Sequence, residues 1–131
     1  MNPTCPCGSN QPYQTCCEPI ITGTRPAETA EVLMRSRYTA FTQANVDYLL
    51  RSHHSRTRPT RQRKSIQQWA QSVQWMGLVV LKSEDGQPSD TTCMVEFRAL
   101  YLENGQMQQI HERSSFEREQ GKWVYVMGEQ Y

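Results

Sequence analysis

Four of the five cysteines of this 131-residue chain lie in its first 24 residues, as Cys5-Pro6-Cys7-Gly8-Ser9 and then the adjacent pair Cys16-Cys17. Four thiolates gathered by one loop suit the tetrahedral preference of Zn2+, at about 2.3 Å per zinc–sulfur bond. A segment this short cannot bury enough apolar surface to fold unaided, so a metal or a covalent staple must hold it. Cysteines that are adjacent or one residue apart bridge each other poorly, because a disulfide needs Cα atoms about 5.5 Å apart with converging Cβ atoms. Cross-pairing between the two pairs stays open, but the reducing cytosol expected for a chain without a signal peptide favours metal. Pro6 stiffens the turn between the first two ligands, and Ser9 adds a small donor. Gly8 can take positive φ where the backbone must turn and aim amides at the sulfurs. The expectation is one Zn2+ on Cys5, Cys7, Cys16 and Cys17, structural in role because four thiolates leave no open coordination position.

Two further groupings carry possible chemistry. On one predicted strand, Ile110, Glu112, Ser114 and Phe116 share a face, since side chains alternate. If Ile110 and Phe116 face the core, the Glu112 carboxylate is drawn in with them and needs a partner such as Arg35, Arg37, Tyr38 or a histidine. Glu112, Ser114, Tyr38 and His54 are therefore the candidate pocket residues, against the plainer reading of an ion pair that ties sheet to helix. Residues 51–64 carry six positive side chains and no acidic one: Arg51, Arg56, Arg58, Arg61, Arg63 and Lys64. Such a run can bind phosphates, although it holds no aromatic residue for base stacking. The pair His53-His54 is a weak chelator because adjacent side chains diverge. His111 falls on the strand face opposite Glu112, and Cys93 reads as a buried core thiol. No nucleophile–base pairing and no phosphate-cradling glycine loop is present, so no catalytic residue is nominated.

The cysteine pattern, with Tyr13 between its halves, resembles the SEC-C motif, the small zinc-binding element at the tail of the SecA preprotein translocase ATPase and in many other bacterial proteins. Leu33-Met34-Arg35-Ser36-Arg37-Tyr38, His53-His54, His111-Glu112-Arg113-Ser114-Ser115-Phe116 and Gly121-Lys122-Trp123-Val124-Tyr125 extend the likeness to the bacterial YchJ-like family. The resemblance implies a zinc knuckle joined to a nuclear transport factor 2-like cone with no established activity. Cys17 stands where the translocase motif usually has histidine, which gives a zinc site a formal charge of minus two. Asn10 replaces a common glycine, and the translocase tail's lysines are missing from Gln11-Pro12-Tyr13-Gln14-Thr15 and the following Glu18. The acidic or ribosomal partners of that tail therefore do not carry over.

The elements that must position these groups follow from periodicity. Residues 19–26 read as a linker with Ile20 and Ile21 as docking anchors. Thr29 is the expected N-cap of a long helix whose stripe runs through Leu33, Met34, Tyr38, Ala40, Phe41 and Ala44, with Arg35 and Arg37 at its sides. A short helix from Asn45 turns Val46, Leu49 and Leu50 inward and ends at His53-His54. A third helix spans 65–72, opened by Ser65 and Gln68 as a capping box. Strands follow at 75–82, 91–102, 107–118 and 122–127, with turns at Glu84-Asp85-Gly86, Asn104-Gly105 and Gln120-Gly121. Helices first and about four antiparallel strands afterwards make an α+β fold, divided as a knuckle and linker over 1–24 and a domain over 25–131.

Fourteen basic and 13 acidic residues exclude a global field for nucleic acid or membrane. The longest apolar run, 76–81, is too short to span a bilayer. The sequence thus points to a soluble, cytoplasmic zinc protein that serves as an interaction or adaptor module for a protein partner, with a homodimer possible. A small-ligand or enzymatic pocket is second. RNA or ribosome contact through residues 51–64 is third and not favoured.

Overall fold

The Cys17 turn leads directly into a short helix, α1 (Glu18–Thr22), where the sequence suggested a linker. Pro19 sits in its first turn, where a missing amide costs nothing, and Gly23 ends it at φ 85°. Ile20 and Ile21 are buried, as their anchor role requires. The computed structural model describes residues 4–85 and 89–131.

The long helix α2 (Ala30–Thr42) begins as expected, with the Thr29 hydroxyl accepting from the Val32 amide at 3.2 Å. It stops before Ala44, whose φ of 51° takes it out of the helix. Asn45 caps α3 (Val46–Arg51) through its side-chain oxygen and the Tyr48 amide. Helix α4 (Arg63–Ser72) starts two residues before the expected point and has no capping box. A 3-10 turn, Thr60–Gln62, feeds straight into it, and the Ser65 hydroxyl donates back to the Gln62 carbonyl at 2.9 Å instead of accepting from an amide.

Strands β1 (Gln74–Asp85), β2 (Thr92–Glu103), β3 (Gln106–Glu119) and β4 (Lys122–Gln130) form one antiparallel sheet in sequence order. Positive φ at Asn104 and Gly105, and again at Gln120 and Gly121, makes the last two connections tight hairpins, whose twist matches the strands they join. Glu84 and Asp85 remain in β1, and Gly86 of the expected turn lies outside the described residues. Register shifts at Trp75/Gly77 and Val80/Lys82 in β1, and at Ser115/Phe116 in the β3–β4 pairing, bend the sheet.

The curved sheet closes over α2. Cys93, Val95, Phe97 and Ala99 of β2 meet Phe116, Trp123 and the α2 residues Ala30, Leu33, Met34 and Tyr38 in one core. A second cluster joins Cys5, Cys7, Cys17, Ile20 and Ile21 to Ala40, Tyr48 and Leu49. The α+β cone expected from the sequence is therefore present, with α2 shared between its core and the cysteine loop. No described helix is long and apolar enough to cross a membrane.

Candidate metal centre and pocket

The cysteine loop is closed by its own backbone. The Cys5 amide donates to the Gln11 carbonyl at 2.7 Å, and Thr4 bridges to Pro12. Gly8, at φ 83°, turns the chain so closely that a Cβ there would sit 3.2 Å from the Leu78 carbonyl oxygen. Its amide goes to the Cys5 carbonyl at 3.3 Å, not to a sulfur as the sequence suggested. A 3-10 turn, Tyr13–Thr15, then returns the chain so that Cys16 and Cys17 face the first pair.

All four Sγ atoms lie within 4.8 Å of one another, and none is in a disulfide. Cys7 and Cys16 are 3.6 Å apart and Cys16 and Cys17 are 3.9 Å apart. A tetrahedron with bonds of about 2.3 Å has sulfur–sulfur edges of about 3.8 Å. The donor set and its spacing therefore fit a tetrahedral cation held by Cys5, Cys7, Cys16 and Cys17. Such an ion would supply a cross-link and no open position for chemistry.

The surroundings support charge at these sulfurs. Thr39 Oγ1 of α2 donates to Cys17 Sγ at 3.4 Å and lies 3.7 Å from Cys5 Sγ. Ser9 Oγ lies 3.1 Å from Cys16 Sγ, within hydrogen-bond reach. The hydrogen bond shared with Cys17 holds Cys7 down to about 4 and pushes Cys17 up, while burial pushes Cys16 up. A bound cation would hold all four as thiolates, because metal ligation requires the deprotonated sulfur. Arg35 completes the dock by donating to the Cys7 carbonyl at 2.6 Å.

The opposite flank of α2 borders a cavity of about 240 Å3. Met34, Tyr38 and Phe41 line it from α2, Trp69 from α4, and Trp75, Phe97 and Ile110 from the sheet. Trp69 and Trp75 meet edge to face at 5.3 Å, and Phe41 lies 5.7 Å from Trp75. Three polar side chains sit at one end. Glu112 accepts from Ser114 Oγ at 2.5 Å, from Gln130 Nε2 at 2.7 Å and from the Tyr125 hydroxyl at 3.3 Å. Arg37 donates to the Leu49 carbonyl and to Ser52 Oγ at 2.8 and 2.7 Å and stacks on Tyr125 at 4.5 Å. Burial pulls its guanidinium down to about 10, so it stays cationic at neutral pH. His53 packs on Tyr125 at 5.0 Å, and burial pulls its imidazole down to about 4, so it is neutral. Burial raises Tyr38 to about 12 and Tyr125 higher still, so both keep their protons.

Of the four pocket residues read from the sequence, Glu112 and Tyr38 line the cavity. Ser114 is fully buried behind Glu112 as its hydrogen-bond donor. His54 is not in the cavity. It faces Glu119 and Glu117 at 3.6 and 4.0 Å, while its neighbour His53 turns inward. The cause is a bridge in which His54 N donates to the Tyr125 carbonyl and Tyr125 N to the Ser52 carbonyl, so His53 pairs with β4 through one isolated parallel bridge. Arg37, placed at the side of α2 by the sequence reading, is 7% exposed and belongs to the cavity. Its position three residues after Met34 and four before Phe41 was the available signal. Trp69, Trp75 and Tyr125 were missed because they come from three separate elements.

The basic run is largely spent within the fold. Arg51 holds the Ile21 carbonyl, Arg58 the His53 carbonyl, Arg56 pairs with Glu117, and Arg63 pairs with Asp47. Among the described residues, Arg61 and Lys64 make no ion pair. His111 lies on the outer sheet face, bonded to Glu96 at 2.7 Å, and Cys93 is buried in the core.

Comparisons with known proteins agree with this two-part construction. The SEC-C motif model matches residues 1–19, and the model described as YchJ, middle NTF2-like domain, matches residues 29–128. A UPF0225 protein of Geobacter sulfurreducens is 41% identical over 128 residues, covering 98% of this chain and 80% of that protein. One from Streptomyces coelicolor is 46% identical over 127 residues, covering 97% and 95%. The solution structure of a SEC-C motif containing protein from Rhodopseudomonas palustris is similar at a TM-score of 0.88 and 33% identity, covering 100% of this chain and 99% of that one. The crystal structure of a SEC-C motif containing protein from Psychrobacter arcticus is similar at 0.82 and 29%, covering 95% and 80%. With its cysteine knuckle, its cone and these relatives in agreement, the chain belongs to the bacterial UPF0225, or YchJ, family.

Proposed function

We propose that the protein is a small-ligand-binding cone whose N-terminal knuckle carries one structural Zn2+. The observation that carries the binding role is the cavity behind α2, where aromatic walls end in Glu112, Arg37 and His53. Small-molecule sites combine an apolar body with a few polar groups in this way. The ligand this supports is a compact, largely apolar molecule with one polar group that hydrogen-bonds at the Glu112 end. Zinc is supported by the all-sulfur donor set, which disfavours hard cations.

Two measurements test the reading. Elemental analysis of protein purified without added metal is expected to give one zinc per chain. In an NMR screen of small aromatic and aliphatic compounds, hits are expected to move the Trp69 and Trp75 indole resonances and to be lost in Glu112→Gln. A screen without such hits removes the cavity as a binding site.

The adaptor role has a second support. Met76, Val79, Leu81, Met107 and Met127 are each more than two-fifths exposed, a surplus of large apolar groups that suits association. A homodimer through this surface is checked by light scattering. A monomer across a hundredfold concentration range, about micromolar to sub-millimolar, counts against it.

A further inference from the structure

A second cavity of about 280 Å3 lies on the other side of the molecule, in the seam where α1 and the chain after it meet α2, α3 and the start of β4. Its floor is apolar, with Leu33 and Val124 both buried. Its rim carries Arg25, Arg51 and Lys122, and no carboxylate lines it. Among the described residues none of these three cations makes an ion pair.

Two of the cations are held in place with donors to spare. Arg25 Nη2 donates to the Thr15 carbonyl at 3.0 Å, and Arg51 Nη2 to the Ile21 carbonyl at 2.6 Å while its guanidinium lies 5.2 Å from the Tyr48 ring centroid. A guanidinium has five N–H donors, so each retains several. Trp123 also lines this cavity and is 2% exposed, yet its Nε1 has no hydrogen-bond partner among the described residues. A buried indole N–H without an acceptor is uncommon. The Trp123 ring, with the Arg118 guanidinium 4.2 Å from its centroid, forms part of the cavity wall and reports on what enters.

We propose that this seam binds a small carboxylate with an apolar body, its carboxylate among Arg25, Arg51 and Lys122 and its body over Leu33, Val124 and the Trp123 ring. The site is separate from the cavity behind α2 and does not rest on the ligand proposed there. Because it is walled by both the knuckle's helix and the cone, occupancy tightens the dock between them.

The test uses 15N-labelled, metal-containing full-length protein titrated with octanoate, with octanamide as the uncharged control and inorganic phosphate as the charge-only control. Octanoate is expected to saturate below about 5 mM, moving the Trp123 indole resonance and leaving Trp69 and Trp75 in place, with octanamide at least about tenfold weaker. Arg25 and Lys122 are exposed, so the double variant Arg25→Gln, Lys122→Gln should fold and weaken octanoate by about tenfold or more. A Trp123 resonance that stays still overturns the proposal. So does octanamide or phosphate binding as tightly as octanoate, or a folded double variant that binds unchanged. If the double variant does not fold, the octanoate–octanamide comparison on the unaltered chain still decides.

Discussion

On one face of α2, Arg35 and Thr39 grip the cysteine loop through a carbonyl and a sulfur. On the other, Met34, Tyr38 and Phe41 wall a cavity. The first face is closed: Cys7 is fully buried and Cys5 and Cys17 are at most 5% exposed. The second is left open by the same helix. Polar contacts are directional and can fix a loop that has little apolar area of its own, whereas the aromatic side meets ring to ring around the cavity. One helix can therefore serve as an anchor for the cysteine arm and as a wall for a cavity.

The largest effect expected tests whether the two faces are independent. Cys16→Ser, Cys17→Ser removes half the donor set, and structural zinc in peptide knuckles is worth about 10–16 kcal/mol of apparent binding free energy. Loss of the metal by elemental analysis and rapid proteolysis within residues 1–24 are expected. The cone should lose several kcal/mol, roughly 2–4, because Cys17, Ile20 and Ile21 pack on Ala40 and Leu49 and that apolar contact loosens. A variant with unchanged melting temperature would separate the faces completely.

On the cavity side, Arg37→Met should cost about 3 kcal/mol in urea unfolding, since the Leu49 carbonyl and Ser52 hydroxyl lose a buried charged donor. Zinc content should not change. Gly128→Ala comes next. A Cβ there would collide with the Glu112 carboxylate, so Glu112 must leave its three donors at about 1–3 kcal/mol. Ligand hits in the cavity should weaken with it, and zinc should stay.

The pH dependence of the cavity side follows from His53. Its folded pKa, about 4, lies below the ordinary value of 6.5, so between these values the unfolded chain binds more protons and stability rises with pH. The contribution is fully present above about 6.5 and is lost as pH falls toward 4. Because the ring borders an open cavity, the expected span is about 1–2 kcal/mol. His53→Gln should flatten that limb of the melting-temperature profile. The smallest effect belongs to Arg61→Gln, Lys64→Gln, expected within about 0.5 kcal/mol and without change in either face. Retention of RNA on filters at low salt that this pair abolishes would restore the basic run as a binding surface.

The zinc-type spacing, the strand alternation that put Glu112, Ser114 and Phe116 together, the Thr29 cap and the hairpin residues were all legible in the chain, because each is a local rule acting over a few residues. The same locality explains the errors. Residues 19–26 contain Pro19 and Gly23 and so read as a linker, yet burial of Ile20 and Ile21 folds their flanks into a helix. The unbalanced charge of residues 51–64 looked free because its acidic partners, Asp47 and Glu117, lie outside that window.

The order of residues by itself determined that four sulfurs would converge and that helices would precede an antiparallel sheet, since both depend on neighbours along the chain. Only tertiary structure decided that His53 and not His54 turns inward, that Arg37 is buried, and that Trp69 and Trp75 share a cavity. Those outcomes are set by contacts between elements far apart in the chain, which no periodicity within one element can encode.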